Sequence, residues 1–156
     1  MEVYRLCREQ FSLPLSGIGA SIKGARWNSS GTELLYTASN RSLAMAEVAV
    51  HLTLATLPPD YLMLTIHIPD DIQPKKISTH SLPDQWNAFP HLFATQHIGD
   101  DFVKENKYLL LRVPSAVTKG DFNYLINPRH DDFKKVKITE MEKFPFDTRI
   151  FKTEKR

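Results

Sequence analysis

Apolar and polar positions alternate most sharply where Leu62, Leu64, Ile66 and Ile68 are separated by Met63, Thr65 and His67. A period of two places each set on its own face of a strand, and Pro69 ends it. Val3 to Leu6, Glu33 to Thr37, Asn123 to Asn127, and Val136 with Ile138 between lysines read the same way over shorter spans. Lys107 to Val113 is a near-continuous apolar run, as expected of a central strand buried on both faces. Such a strand delivers Ser115, just past Pro114, to a sheet edge or cleft. Phe144 to Phe151 predicts a last strand.

Helical spacing takes over from Ser42 to Leu57, a stretch rich in Ala, Leu and Met, with Ser39 or Asn40 as N-cap and Pro58-Pro59 as its stop. Its apolar residues spread almost all round, which predicts burial on most sides; Asn40, Glu47 and His51 form the one narrow polar stripe. His91 to Glu105 predicts another helix, broken near Gly99. Phe11 to Ile22 and Asp70 to Pro90 read as loops, the second with a short helical piece around Leu82 to Trp86. Arg26-Trp27-Asn28 lies between Gly24 and the turn Ser29 to Thr32, and predicts a hairpin with the strand that follows. Six to eight short strands and two or three helices without regular βα alternation give an α+β class, with a mixed, mainly antiparallel sheet core flanked by helices.

Length and composition narrow this to one compact domain over residues 1–156, with a frayed tail from about residue 150, since 156 residues at 42% hydrophobic support a single core. The lone cysteine, Cys7, excludes an internal disulfide framework, and Met1 to Arg5 lacks the layout of a signal peptide, so a cytoplasmic location is expected. No window approaches the roughly 20 apolar residues of a membrane span. A net charge of +2 is too small to imply nucleic acid. From Phe133 to Arg156, however, eight basic residues face four acidic ones, which reads either as a solvated face or as a surface for a polyanion.

Four residues carry candidate chemistry. Arg26 sits between glycine turns, where close backbone approach and a forked cation suit a phosphate or carboxylate, although most arginines are simply solvated. Tyr36 is either a core tyrosine or a ring for stacking on a ligand. Glu47 needs water or a cation: it faces solvent beside His51, or it lies in a cleft opposite Arg26 and stays ionised there. Ser115 is a turn residue or a hydroxyl for a phosphate or ribose. Trp27 reads as core. Gly17 and Gly19 lack the third glycine and flanking elements of a dinucleotide fingerprint. The six histidines show no metal-ligand spacing, no Gly-x-Ser-x-Gly elbow is present, and Cys7 has no base near it in sequence.

The order of short motifs adds to this. Gly24-Ala25-Arg26-Trp27-Asn28, Tyr36-Thr37-Ala38, Ala44-Met45-Ala46-Glu47-Val48, Val113-Pro114-Ser115-Ala116-Val117, Asn127-Pro128-x-His130 and Phe146-Asp147-x-Arg149 together resemble the RES domain family over nearly the whole chain. Phe102 departs from it by standing where the family pattern has a tryptophan. The resemblance implies an ADP-ribosyltransferase-like fold and the toxin of a bacterial type II toxin–antitoxin system. It implies an Xre-type helix-turn-helix antitoxin that occludes the active site and forms an oligomer with the toxin, DNA being reached only through that partner. It maps the family's arginine, glutamate and serine onto Arg26, Glu47 and Ser115, and its aromatic onto Tyr36.

The activity so implied is cleavage of NAD+ between ribose and nicotinamide, by water or phosphate, with NAD+ as substrate and no resident cofactor or metal. Glu47 and Arg26 would be catalytic, with Arg26, Tyr36 and Ser115 binding the substrate. Transfer of ADP-ribose to a host protein is the nearest alternative. A nucleic-acid-binding module or RNA-cleaving toxin using the basic C-terminal segment is another.

Overall fold

In a computed structural model, residues 1–151 are described. Seven strands form one sheet: β1 (Glu2–Arg8), β2 (Leu35–Ala38), β3 (Tyr61–His67), β4 (Lys75–Lys76), β5 (Leu110–Pro114), β6 (Phe122–Ile126) and β7 (Lys137–Lys143), in the order β4-β5-β6-β2-β1-β3-β7. Only β4 and β5 run parallel, so the sheet is mixed and mainly antiparallel, as expected. Three α-helices accompany it among the described residues: α1 (Ile18–Lys23), α2 (Arg41–Ala49) and α3 (Phe93–Glu105).

Strand alternation sorts the core by face. Val3 and Cys7 of β1, Leu35 of β2, Leu64 and Ile66 of β3, Leu110 of β5 and Ile126 of β6 join one cluster on one side. Their neighbours point to the helices. Leu6, Ala38 and Met63 pack with Leu43 and Ala44 of α2, while Leu111, Val113 and Leu125 pack with Phe102 and Val103 of α3. β5 is buried on both faces but lies next to the edge, since only the two-residue β4 covers its outer side.

Backbone pairing within the sheet is thinnest between β1 and β2. β1 pairs with β3 along its length, from Glu2 opposite His67 to Arg8 opposite Tyr61, yet touches β2 only where Tyr4 faces Ala38. Beyond that rung the strands diverge, and Arg5 bridges the gap with its guanidinium donating to the Tyr36 carbonyl at 3.0 Å.

Several expected elements differ. α2 stops at Ala49, well short of Leu57, and only Leu43 and Ala44 are fully buried. Past Ala49 the helix runs off the sheet: Val50 and Leu54 are exposed, so no packing energy sustains further turns. His51 and Leu52 close tighter turns onto Val48 and Ala49, and Thr53 caps a 3-10 turn at Leu54–Thr56. The stretch read as a loop from Phe11 to Ile22 contains α1, too short to show a period. Gly24, at φ +74°, ends it. No strand forms at Arg26; a single bridge between Ala25 and Asn28 replaces the expected hairpin. α3 begins at Phe93 and passes through Gly99 unbroken. The last strand is β7, while Phe144 and Phe146 leave the sheet to stack edge-on with each other, and Phe146 with Tyr61, each at 5.4 Å. The rest of the expected frayed tail, 152–156, lies outside the described residues.

Candidate active site

Where β1 and β2 part, a cleft of about 720 Å³ opens between α2 and the loop carrying Arg26. Arg26, Tyr36 and Glu47 all line it, with Asn123 of β6, His51 after α2, and Phe89 and His91 ahead of α3.

Arg26 is aimed by a loop held at several points. Gln96 of α3 donates its amide to the Ala25 carbonyl at 3.0 Å, and Asp100 accepts from the Ser29 amide at 2.9 Å. Gly99 lies under Trp27 so closely that a Cβ there would come within 1.6 Å of the Trp27 carbonyl oxygen. Asn28 is fully buried, and its amide ties together the carbonyls of Ala20, Ser29 and Thr32. So held, the Arg26 Nη1 donates to the carbonyls of Trp86 at 2.8 Å and Ala88 at 3.0 Å. Burial pulls the guanidinium below its ordinary pKa, and the nearby Glu47 opposes that shift. No ion pair joins them among the described residues, so the arginine keeps hydrogen-bonding capacity for a ligand.

Tyr36 belongs to this scaffold as much as to the cleft. Its hydroxyl donates to Asn28 Oδ1 at 2.7 Å and accepts from the Trp27 amide at 3.0 Å. Burial raises the phenol far above its ordinary pKa, so it stays neutral where Tyr36 lines the cleft.

Glu47 does not point to open solvent. Ser115 Oγ donates to its Oε1 at 3.1 Å. Burial raises the carboxyl above the ordinary 4.5, while Ser115, Asn123, Arg26 and His51 oppose that rise in that order. Ser115 itself is 4% exposed and does not line the cleft, contrary to its expected place against a phosphate or ribose. Its Oγ also accepts from the amides of Val117 and Thr118, at 3.1 and 3.0 Å, which fixes the turn after β5 and leaves its proton for Glu47.

The RES domain model matches residues 2–148. The chain belongs to the RES domain family. Among relatives of this RES chain, the Prs ADP-ribosylating toxin of Sphingobium sp. (strain YBL2) is 35% identical over 140 residues, covering 88% of this chain and 87% of that protein. Toxin Res of Photorhabdus laumondii is 34% identical over 99% of this chain and all of its own length. Toxin Res of Pseudomonas putida is 36% identical, with 88% and 92% covered. In fold, the RES domain here is similar to a chain of the M. tuberculosis MbcT–MbcA toxin–antitoxin complex, at a TM-score of 0.75 and 18% identity, covering 92% of this chain and 83% of that one.

Sequence reasoning did not find Arg5, His91, Asn123 or the Trp86 and Ala88 carbonyls as part of this site. Asn28 carried a signal, as the polar end of the motif Gly24-Ala25-Arg26-Trp27-Asn28. His91 carried none, because it follows a proline-rich stretch without period.

Proposed function

We propose that this protein is the toxin of a bacterial toxin–antitoxin pair and that it consumes NAD+ in this cleft. The observation that carries the reading is Glu47, a half-buried carboxylate steadied by Ser115 and faced, without ion pairing, by Arg26. In NAD+ the bond from ribose C1′ to the nicotinamide nitrogen breaks with its electron pair going to the pyridinium, which leaves neutral. The cation developing at the ribose is what a fixed anion stabilises, and Glu47 supplies it. An acceptor oxygen then bonds to C1′ and sheds its proton to Glu47 or solvent.

Arg26 is the donor for the diphosphate, since two of its N–H bonds already hold it against the 86–88 loop while its cleft side stays free. Tyr36 offers its ring for stacking against the cationic nicotinamide. Ser115 acts through Glu47 in place of touching the substrate. Incubating the pure protein with NAD+ is expected to release free nicotinamide, and E47Q is expected to abolish release; no release by the wild type overturns the reading.

Water or phosphate as acceptor gives an NAD+-depleting toxin. The name of the Sphingobium relative favours a second outcome, transfer of ADP-ribose to a protein. Label from NAD+ appearing on a macromolecule, with little free ADP-ribose, distinguishes it. An antitoxin partner is supported by the similarity to a chain of the MbcT–MbcA toxin–antitoxin complex. An Xre-type partner covering the cleft in the cytoplasm is the arrangement we favour, and it predicts that the purified complex is inactive until the partner is stripped.

A further inference from the structure

His91 lines the cleft and has no part in the steps above. It lies between Ala88, whose carbonyl receives Arg26, and the start of α3. Its ring stands edge-on to Phe89, the centroids 5.4 Å apart at 89°. Nδ1 is sealed from solvent without a hydrogen-bond partner among the described residues. Nε2 is not sealed, and it too bonds to no described residue. A doubly protonated ring would bury an N–H that has no acceptor, close to a guanidinium. Burial first, then Arg26 and His51, hold the imidazole below its ordinary pKa. The neutral ring keeps its single proton on the nitrogen that can use it, Nε2.

The surroundings define what that proton meets. Arg5 and Arg26 also line the cleft, against the single acid Glu47, so an anionic ligand is drawn to this side. We propose that His91 is a substrate-binding residue, whose Nε2–H donates to a diphosphate oxygen of the dinucleotide beside Arg26. The proposal rests on the NAD+ reading above.

The test compares H91A, H91Q and H91N by NAD+ titration calorimetry in the E47Q background, and by nicotinamide release with Glu47 restored. H91A is expected to weaken binding and raise KM roughly tenfold, with kcat within about twofold of wild type. Glutamine, whose amide reaches the Nε2 position, is expected to restore most of the affinity; asparagine, which reaches only Nδ1, is not. Wild-type affinity in H91A overturns the proposal, and so does equal behaviour of glutamine and asparagine. If H91A does not fold, the glutamine and asparagine variants decide alone. Binding that follows this pattern without any nicotinamide release upholds His91 while the cleavage reading falls. Absence of NAD+ binding in every protein overturns both.

Discussion

Burial of the Glu47 carboxyl works against stability when it is ionised. Its folded pKa lies above the 4.5 of an unperturbed carboxyl, so its stabilising contribution is complete below 4.5 and is lost as pH rises through the folded value. E47Q, which stays neutral throughout, is therefore expected to unfold at higher temperature than wild type near neutral pH. The gap should close below pH 4.5, as calorimetric scans across pH would show. On the proposed mechanism activity runs the other way, since the ionised carboxylate is the one that stabilises the ribosyl cation, so nicotinamide release should fall with acid through an apparent pKa raised above the ordinary value. Ser115 lowers the Glu47 pKa by donating to it. S115A is expected to move that acid limb to higher pH and to cut kcat roughly tenfold at little change in KM, the signature of one lost orienting hydrogen bond. A KM rise with kcat intact would instead put Ser115 on the substrate.

At the scale of elements, two glycines in helices make opposite predictions. At Gly19 of α1 an added Cβ would meet nothing within 4 Å, so G19A should stabilise by about 0.5–1 kcal/mol through reduced chain entropy. Alanine at Gly99 of α3 would gain the same helix propensity, but its Cβ meets the Trp27 carbonyl at 1.6 Å. G99A should cost about 1–3 kcal/mol and displace the loop that aims Arg26, so activity falls further than stability explains. Thermal unfolding and nicotinamide release on both variants check the contrast. Gly99 also shows why some elements were hidden in the sequence. A glycine amid polar residues reads as a break, yet here it is what lets helix and loop approach. Strands with a strict period, such as β3, were legible to within a residue, because each face meets a packed layer. The end of α2 was not, because helix propensity continues through Leu54 while the sheet beneath does not. That Glu47 and Arg26 line one cleft was one of the two placements the sequence left open for them. For Ser115 the turn half of its reading was legible, but its bond to Glu47 was not, since one hydroxyl can serve a ligand or a carboxylate and only distance decides.

For the molecule as a whole, the two tryptophans give a convenient readout. Trp27 and Trp86 are the only ones in the chain, their rings 5.9 Å apart, and Trp27 lines the cleft. Ligand binding should therefore change the total tryptophan fluorescence in proportion to occupancy, and an unchanged spectrum at saturating NAD+ would count against binding at this cleft. Of the basic residues counted near the C-terminus, Lys135 is held by Asp132, just outside that segment, at 2.8 Å, while Lys137 and Lys143 flank Glu140 and Glu142 along β7.

The single rung between Tyr4 and Ala38 makes the sheet two leaves joined by thin backbone pairing, with the Arg5 side chain as a strap and α2 packed across both strands. A molecule filling the cleft acts as a wedge set between the leaves, and its grip limits how far they breathe. Arg5→Leu should accelerate amide hydrogen exchange at Tyr4 and Ala38 more than at β3 or β6. Bound NAD+ should slow exchange at those same amides. Occupancy of the cleft would then be felt as rigidity across the width of the sheet, including at β7, which touches no part of the ligand site.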